Sequence, residues 1–416
     1  MISIDKSIIT AVSAKEKIDP EKLLRSIQGG NAVILGRDDY ARIAIGKALR
    51  TKVNVNLGTS PLKSDEDEEM EKAAVAFRCG GDTVSDCSTA GDIDGLRRKL
   101  ISSSGMPVTT VPIYQAVVTA ESFESTTDEH ILKVIEKHVK DGVSSIVIHT
   151  GFTRGTLLHL KQSGRIMGVV SKGGSMTAAI SLCQERENPF VSLFDSIVEL
   201  LKETGVVLNL GNAMRSGCVH DLKDEPQLQE IYTNAKLAKR ANNRGVQVII
   251  EGLGGHVNAR DLKAWIEEHN RITGNRPLFV AGPLPTEIGV GHDHISAAIG
   301  GAMAAGYGAD YLCAITPAEH LGLPNVNQVR EGVIAAKIAA HVGDSMKYGI
   351  DACFDEDRQL SSWRAKKDWV KQFEHAIDPE TAKSIHPGEE KECSMCGKYC
   401  AIAIMRKYGL DSKFES

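Results

Sequence analysis

The sequence predicts an α/β protein built as a (β/α)₈ barrel, with a small N-terminal element and a helical C-terminal domain that carries a cysteine-rich tail. Short β-branched apolar runs recur along the chain and end in Gly, Asn, Asp or Ser, as buried parallel strands do. Amphipathic segments of helical length separate most of these runs. The alternation continues over roughly 270 residues, which is typical of a (β/α)₈ barrel.

The N-terminal element covers residues 1–50 and has one clear strand-like run, NAVILG. The barrel is predicted over residues 51–330, where nine candidate strands compete for eight places. They begin at Val53, Asp82, Thr109, Ser144, Gly168, Val206, Val246, Pro277 and Tyr311. We expect the run at Gly168 to be the extra one, because only a short connection precedes it. A doubly wound sheet is the alternative, and the lack of a G-x-G-x-x-G motif after the first strand disfavours it.

Beyond the barrel the pattern becomes helical. A helical C-terminal domain is predicted over residues 331–385, where the segments VREGVIAAKIAAHVGDSMKYG and SSWRAKKDWVKQFEHAI each indicate one amphipathic helix. We expect Trp363, Phe373 and Ile377 to anchor the second helix. Residues 386–416 form a polar, flexible tail that contains three closely spaced cysteines.

Composition excludes several classes of protein. Of the 416 residues, 42% are hydrophobic and 25% charged, which is the balance of a globular chain rather than a disordered or fibrous one. Lys plus Arg number 49 against 54 Asp plus Glu, so no basic excess exists to bind a nucleic-acid backbone. The uncharged stretch 295–309 is too short to span a bilayer, and the N-terminus is a poor signal peptide. We therefore expect a cytoplasmic protein with no nucleic-acid or membrane partner.

Candidate site residues follow from barrel architecture, because reactive groups in such barrels lie at the C-terminal ends of the strands. The polar groups at those ends are Asn56, Ser85, Tyr114, His149, Lys172, Asn212, Arg215, Glu251, His256 and Cys313, with His292 and His294 in a later loop. Any one of them is equally well explained as a local loop contact. Desolvating so many polar side chains at one mouth of the barrel costs free energy, which a protein without a function for them would not retain. The clustering therefore predicts an active site there.

Two metal sites are candidates. His256 and His294 could hold one Zn²⁺ or Fe²⁺, although a lone loop histidine is more often only a hydrogen-bonding residue. Cys393, Cys396 and Cys400 form a C-x2-C-x3-C motif, which suits three irons of a [4Fe–4S] cluster with the fourth iron open to another ligand. A zinc site would need a fourth ligand such as His386, and a redox C-x-x-C lacks its βαβ context. We favour the cluster.

The motifs, taken together, resemble one family. The segments are VNVNLGTSP, GGDTVSDCST, TVPIYQA, IHTGF, SKGGS, EGLGGHV, GPLPTEIGVGHDH, TPAEHLGLPN and CSMCGKYC. In this order, from about Thr51 to Cys400, they are similar to the phosphomethylpyrimidine synthase family, the radical S-adenosylmethionine enzymes of thiamin biosynthesis. The resemblance implies 5-aminoimidazole ribotide as substrate and a homodimer whose tail docks on the partner's barrel. It also implies a reductant such as flavodoxin or ferredoxin.

The resemblance also assigns residues. The implied substrate contacts are Asn56, Ser85, Tyr114, His149, Ser171, Lys172, Gly173, Asn212, Arg215, Glu251 and His292. Glu251 and Cys313 are the implied catalytic residues, with Cys313 as a hydrogen-atom donor. A mononuclear zinc or iron is implied on His256 and His294, and the [4Fe–4S] cluster that binds S-adenosylmethionine on Cys393, Cys396 and Cys400.

The departures from the family pattern fall on the site. Ser85 stands where the family has the methionine of VMDLS, Lys172 where it has the arginine of SRGG, Asn212 the aspartate of DGLR and His292 the tyrosine of YDH. One residue is added before His256, and the cysteine motif is one residue shorter. Lys in place of Arg weakens a phosphate clamp. The pattern resembles the anaerobic paralogue, 5-hydroxybenzimidazole synthase, so we expect 5-hydroxybenzimidazole as product. Hydroxymethylpyrimidine phosphate is the alternative, and a zinc-stapled binding module is a remote one.

Overall fold

The computed structural model describes residues 2, 4–37, 41–221, 223–349, 355–386 and 392–410. The chain divides into two compact units, Met1–Lys347 and Tyr348–Ser416.

The N-terminal element contains more structure than the sequence pattern predicted. It comprises α1 (Lys6–Glu16), α2 (Pro20–Gln28), β1 (Ala32–Leu35) and β2 (Ile43–Gly46), and β1 pairs antiparallel with β2. Only β1 was predicted; IAIG, a run of the same four-residue length, was not recognised as its partner strand. Asp5 and Asp19 cap the two helices by accepting hydrogen bonds from backbone N–H groups in their first turns.

Eight parallel strands close into a barrel, in the order β10-β3-β4-β5-β6-β7-β8-β9, so the predicted fold class is confirmed. The strands are β3 (Lys52–Leu57), β4 (Thr83–Asp86), β5 (Val108–Thr110), β6 (Ser145–Ile148), β7 (Val207–Leu210), β8 (Val248–Glu251), β9 (Leu278–Ala281) and β10 (Tyr311–Ala314). Residues 168–171 form no strand, as expected for the ninth candidate. Because every pairing is parallel, all eight C-terminal strand ends meet at one mouth.

Helices surround the barrel. They are α3 (Glu66–Arg78), α4 (Ile93–Ser103), α5 (Pro112–Ala120), α6 (Asp128–Asp141), α7 (Arg154–Gln162), α8 (Lys172–Cys183), α9 (Pro189–Ser192), α10 (Phe194–Lys202), α11 (Glu225–Asn243), α12 (Ala259–Thr273), α13 (Asp293–Tyr307) and α14 (Val326–Tyr348). Thr127, Asp224 and Asn258 cap their helices with side-chain oxygens. We expected a helical domain to begin at residue 331, whereas almost all of α14 belongs to the first compact unit.

The N-terminal hairpin closes the end of the barrel opposite the mouth. Val33, Leu35, Ile43 and Ile45 pack in one buried cluster with barrel residues that include Val207, Ile249, Phe279, Tyr311 and Cys313. The Ile34 N–H donates to Gln247 Oε1 at 2.8 Å, which fixes the hairpin to the strand ends. The barrel residues that the hairpin covers are therefore apolar.

The second unit consists of short helices. They are Asp355–Lys366, Trp369–Glu374, Pro379–Ile385 and Ala401–Lys407, with a 3₁₀ turn at Gly397–Tyr399. The single helix predicted over residues 361–377 is wrong, because Lys367 adopts a left-handed conformation (φ 57°) that ends the first helix. Of the three expected anchors, Phe373 is buried and Ile377 is exposed. The Trp363 ring packs on His375, with centroids 4.2 Å apart.

Within the described residues, no helix has the length and apolar character needed to cross a membrane.

Candidate active site

Asn54 on β3 organises one side of the barrel mouth. Its Oδ1 accepts hydrogen bonds from Thr83 Oγ1 and Ser85 Oγ, both at 2.9 Å. Its Nδ2 donates to Asn56 Oδ1 at 2.8 Å and to Cys313 Sγ at 3.7 Å. The structure thus brings together three predicted site residues through one that sequence reasoning missed. The N-x-N spacing on β3 was the available signal, because alternate strand residues share a face.

Cys313 is a neutral thiol in this setting. It lies on β10, is 4% exposed, and burial raises the pKa of its thiol, while the hydrogen bond from Asn54 acts in the opposite direction. A protonated thiol keeps its S–H bond and can supply a hydrogen atom. The hydrogen-atom donor role that the family resemblance implies for Cys313 therefore stays chemically reasonable.

Glu251 ends β8 and is held by the neighbouring strand. Asn209 Nδ2 donates to Glu251 Oε1 at 2.9 Å, and the Asn212 N–H donates to Oε2 at 3.3 Å. Burial raises the pKa of Glu251, and the positive charge of Arg215 opposes that rise. A carboxyl group balanced in this way can hold or release a proton at the mouth.

His149, Ser171 and Gly173 form a tightly packed corner. Ser171 caps α8, and its Oγ lies 3.3 Å from His149 Nε2. A Cβ atom on Gly173 would lie 2.2 Å from His149 Cε1, so only glycine fits against the imidazole. Burial lowers the pKa of His149 to about 3, helped by Arg215, so the ring is neutral. His149 Nδ1 is buried and has no hydrogen-bond partner among the described residues.

Lys172 lies over Tyr114 in the same corner. Its Nζ is 4.3 Å from the Tyr114 ring centroid and donates to the Cys87 carbonyl oxygen at 3.2 Å. Burial raises the pKa of the Tyr114 hydroxyl, so that group stays protonated. Lys172 therefore brings one positive charge and a cation–π contact to the site, but it lacks the planar guanidinium with which an arginine donates bidentate hydrogen bonds.

The loop after β7 carries Asn212 and Arg215. Arg215 Nη1 donates to the Asn212 carbonyl oxygen at 3.1 Å. Glu230 on α11 lies under this loop and accepts from Asn212 Nδ2 and from the N–H groups of Ala213 (2.7 Å) and Met214 (2.9 Å). Burial raises the pKa of Glu230 to about 7. Sequence reasoning missed Glu230, although helical periodicity places it on the buried face of α11.

His256 pairs with a different histidine from the one expected. Its Nε2 lies 3.4 Å from His320 Nε2, and its Nδ1 lies 2.9 Å from Glu287 Oε2. His294 instead lines a small cavity with Cys313 and with Ala336 of α14. The structure therefore places His256 beside His320, while the described neighbours of His294 lie in α14 and β10, so the metal pair of His256 and His294 stays a prediction. His320 lies in the motif TPAEHLGLPN, so a signal was present.

His292 is exposed at the start of α13, with its ring 6.2 Å from that of His294. No described contact joins it to the other predicted substrate contacts. Among the residues that the structure describes, no three or more His, Cys, Asp or Glu side chains are arranged to bind a metal. His256 and His320 therefore offer a metal two imidazoles, and further ligands would come from water or substrate.

The three tail cysteines are free thiols at the surface of the second unit. Cys396 is exposed, and Cys393 and Cys400 are half-buried. Backbone N–H groups of Ala403 and Ile402 lower the pKa of the Cys400 thiol. The thiols fit an iron–sulfur cluster in number and chemistry, but they are not gathered into a metal-binding group.

A family model described as the radical SAM ThiC family matches residues 3–407. The chain belongs to the radical SAM ThiC family. Membership implies a [4Fe–4S] cluster and S-adenosylmethionine as cofactors, and it makes the chain an enzyme. The motifs identified in the sequence therefore indicated the family correctly.

Curated relatives match over almost the whole chain, and their names are those of the thiamin enzyme. A phosphomethylpyrimidine synthase of Pyrococcus furiosus is 45% identical over 402 residues, covering 94% of this chain and 93% of its own. Those of Caldanaerobacter subterraneus and Methanocaldococcus jannaschii are each 43% identical over 408 residues, covering 95% and 96% of this chain and 94% and 95% of their own. The expected closeness to the benzimidazole-forming paralogue gains no support from these names.

Proposed function

We propose that this enzyme is a phosphomethylpyrimidine synthase, a lyase that converts 5-aminoimidazole ribotide into hydroxymethylpyrimidine phosphate. One observation carries the proposal: the polar residues aligned with the family's substrate contacts lie, with the exception of His292, around the mouth of one barrel, in a chain that matches the family over residues 3–407. The names of the relatives favour this product over the one that we expected from the sequence alone.

The cysteine tail and the barrel mouth would each do a separate part of the chemistry. A [4Fe–4S] cluster on Cys393, Cys396 and Cys400 supplies reductive cleavage of S-adenosylmethionine when both are bound. Arg215 and Lys172 bring positive charge for the phosphate of the ribotide. Glu251 holds or accepts a proton, and neutral His149 offers an unpaired ring nitrogen to the substrate.

A mononuclear divalent ion, zinc or iron, is part of the proposal. His256 and His320 would bind it through their Nε2 atoms, while Glu287 holds the other nitrogen of His256 and orients its ring. Burial lowers the pKa of His256, which keeps that imidazole neutral and able to bind a metal. The ion would position substrate at the edge of the mouth.

We also propose a homodimer in which the tail of one subunit docks on the barrel of its partner, with flavodoxin or ferredoxin as electron donor. The exposure of Cys396 supports this arrangement, because a cluster bound there needs another surface to exclude water from a radical.

The benzimidazole-forming reaction is the second candidate. The position of Lys172 favours it: Nζ is already engaged by the Cys87 carbonyl and the Tyr114 ring, and it is a weaker phosphate clamp than arginine. A reaction that releases phosphate would tolerate such a clamp better than one that retains it.

The deciding experiment is an anaerobic turnover of the reconstituted enzyme with 5-aminoimidazole ribotide, S-adenosylmethionine and dithionite, with products identified by mass spectrometry. We expect 5′-deoxyadenosine together with hydroxymethylpyrimidine phosphate. A fluorescent, unphosphorylated benzimidazole as main product would move the assignment to the second candidate. No 5′-deoxyadenosine at all would contradict both.

A further inference from the structure

Glu230 is a buried carboxyl group beneath the mouth, and nothing in the proposed chemistry uses it. It is 1% exposed and lies on α11, outside the barrel wall. Its two oxygens accept three hydrogen bonds, from the Asn212 side-chain amide and from the backbone N–H groups of Ala213 and Met214. All three donors belong to the loop that also carries Arg215.

The neighbouring loop is shaped around the same carboxyl group. A Cβ atom on Gly151, in the loop after β6, would lie 2.2 Å from Glu230 Cγ and 2.4 Å from Oε1. Gly151 has no positive φ, so its backbone would accept alanine, and the three nearest atoms that such a Cβ would meet all belong to Glu230. Glu230 therefore fits between the loop of His149 and the loop of Asn212.

The contact with Glu230 also fixes the orientation of the Asn212 side-chain amide. Because Nδ2 donates to Glu230, the amide oxygen Oδ1 faces the other way, and it is buried without a hydrogen-bond partner among the described residues. An unsatisfied buried carbonyl oxygen is costly, so a ligand that donates a hydrogen bond to it gains affinity. The donor must be an N–H or O–H group.

We propose that Glu230 is a positioning residue for the substrate: it fixes the Asn212 amide so that Oδ1 accepts a hydrogen bond from an amino or hydroxyl group of the ribotide. This inference rests on the proposed function, since it takes 5-aminoimidazole ribotide as the ligand. Asn212 contacts the ligand, and Glu230 acts only through Asn212 and its loop.

The test measures the affinity of the full-length enzyme for 5-aminoimidazole ribotide by calorimetry. Glu230→Ala leaves three donors unpaired and should weaken binding roughly 30-fold, whereas Glu230→Gln keeps one carbonyl oxygen and should weaken it roughly fivefold. Gly151→Ala should resemble Glu230→Ala, because it pushes the carboxyl group aside. Glu225→Gln on the same helix and Gly168→Ala, which meets nothing within 4 Å, are the matched controls and should bind as the wild type does.

Two double variants separate positioning from a general loss of stability. Gly151→Ala should cost nothing further in the Glu230→Ala background, because the clashing group is gone. Asn212→Ala and Glu230→Ala together should bind within roughly threefold of Asn212→Ala alone, because Glu230 acts through Asn212. Additive losses in both pairs would overturn the inference, and so would wild-type affinity in Glu230→Ala and Gly151→Ala. A wild-type enzyme that does not bind the ribotide would overturn the proposed function, and this inference with it.

Discussion

The barrel mouth and the cysteine tail differ in how much of their geometry is fixed before any ligand binds. In the mouth, Asn54, Glu251 and Glu230 each hold several neighbours by hydrogen bonds, and glycines allow contacts that no other residue would fit. In the tail, Cys396 is exposed, and a Cβ atom on Gly397 would meet nothing within 4 Å. The helices Asp355–Lys366 and Pro379–Ile385 contain no buried residue.

The difference follows from what each region would bind. A substrate is recognised through preorganised donors and acceptors, which lose affinity if they must first be ordered. Thiolates on a short segment can be gathered by the metal itself, because metal binding and folding are coupled. Substitutions should therefore affect the two regions differently: those in the tail should remove chemistry without changing stability, and those in the mouth should change both.

The largest effect is expected in the tail. Cys396→Ser removes one of the three proposed cluster ligands, and because the side chain is exposed no packing is lost. We expect the formation of 5′-deoxyadenosine to fall by about a thousandfold or more, with the melting temperature unchanged within about 2 °C. Cys183→Ser is the matched control, since Cys183 is also an exposed free thiol, but on α8. A melting temperature that falls as steeply as activity would contradict the proposed contrast.

A pH-dependent effect is expected in the mouth. Because burial raises the pKa of Glu230 from 4.5 to about 7, the folded protein binds a proton between these values that the unfolded chain has released. The contribution of Glu230 to the free energy of unfolding should therefore fall as pH rises from about 4.5 to 7, by about 3 kcal/mol. Urea denaturation of wild type and Glu230→Gln at pH 5 and pH 7.5 isolates this contribution, because buried histidines affect both proteins equally. A difference in stability between the two proteins that is independent of pH would be inconsistent with it.

A smaller effect is expected at Gly173. Alanine there would place its Cβ against the His149 ring, and overpacking of this kind costs about 2 kcal/mol. We expect Gly173→Ala to lower the free energy of unfolding by that amount and to weaken ribotide binding, whereas Gly168→Ala leaves both unchanged. Wild-type stability in Gly173→Ala would mean that the corner around His149 is looser than its contacts indicate.

The same contrast explains what the sequence predicted well. The barrel, its eight strands and the extra run at Gly168 follow from an apolar pattern that repeats eight times. An error in the boundary of one strand therefore does not change the predicted fold class. Most candidate site residues were predicted to share the mouth because each lies in or near the C-terminal end of a predicted strand. The break at Lys367 was not found, because a single left-handed residue inside an amphipathic pattern leaves no periodic signal.

The contacts at the site that the sequence did not predict involve partners that are distant in sequence. His256 and His294 looked like a pair because their strands are neighbours, but the turn into α13 decides where His294 points, and His320 comes from the loop after β10. Glu230 contributes from a helix, where a charged residue ordinarily faces solvent. Both cases depend on side-chain direction, which the spacing of residues does not determine.

The measurement that tests the central contrast most directly is ribotide affinity and iron content on the same two variants. In the first variant, Cys393, Cys396 and Cys400 are all serine; in the second, Asn212 is alanine. We predict that the first binds 5-aminoimidazole ribotide within about twofold of the wild type and holds no cluster, while the second reconstitutes its cluster and binds the ribotide roughly 30-fold more weakly. Loss of ribotide affinity in the serine variant, or loss of iron in the Asn212→Ala variant, would contradict the account.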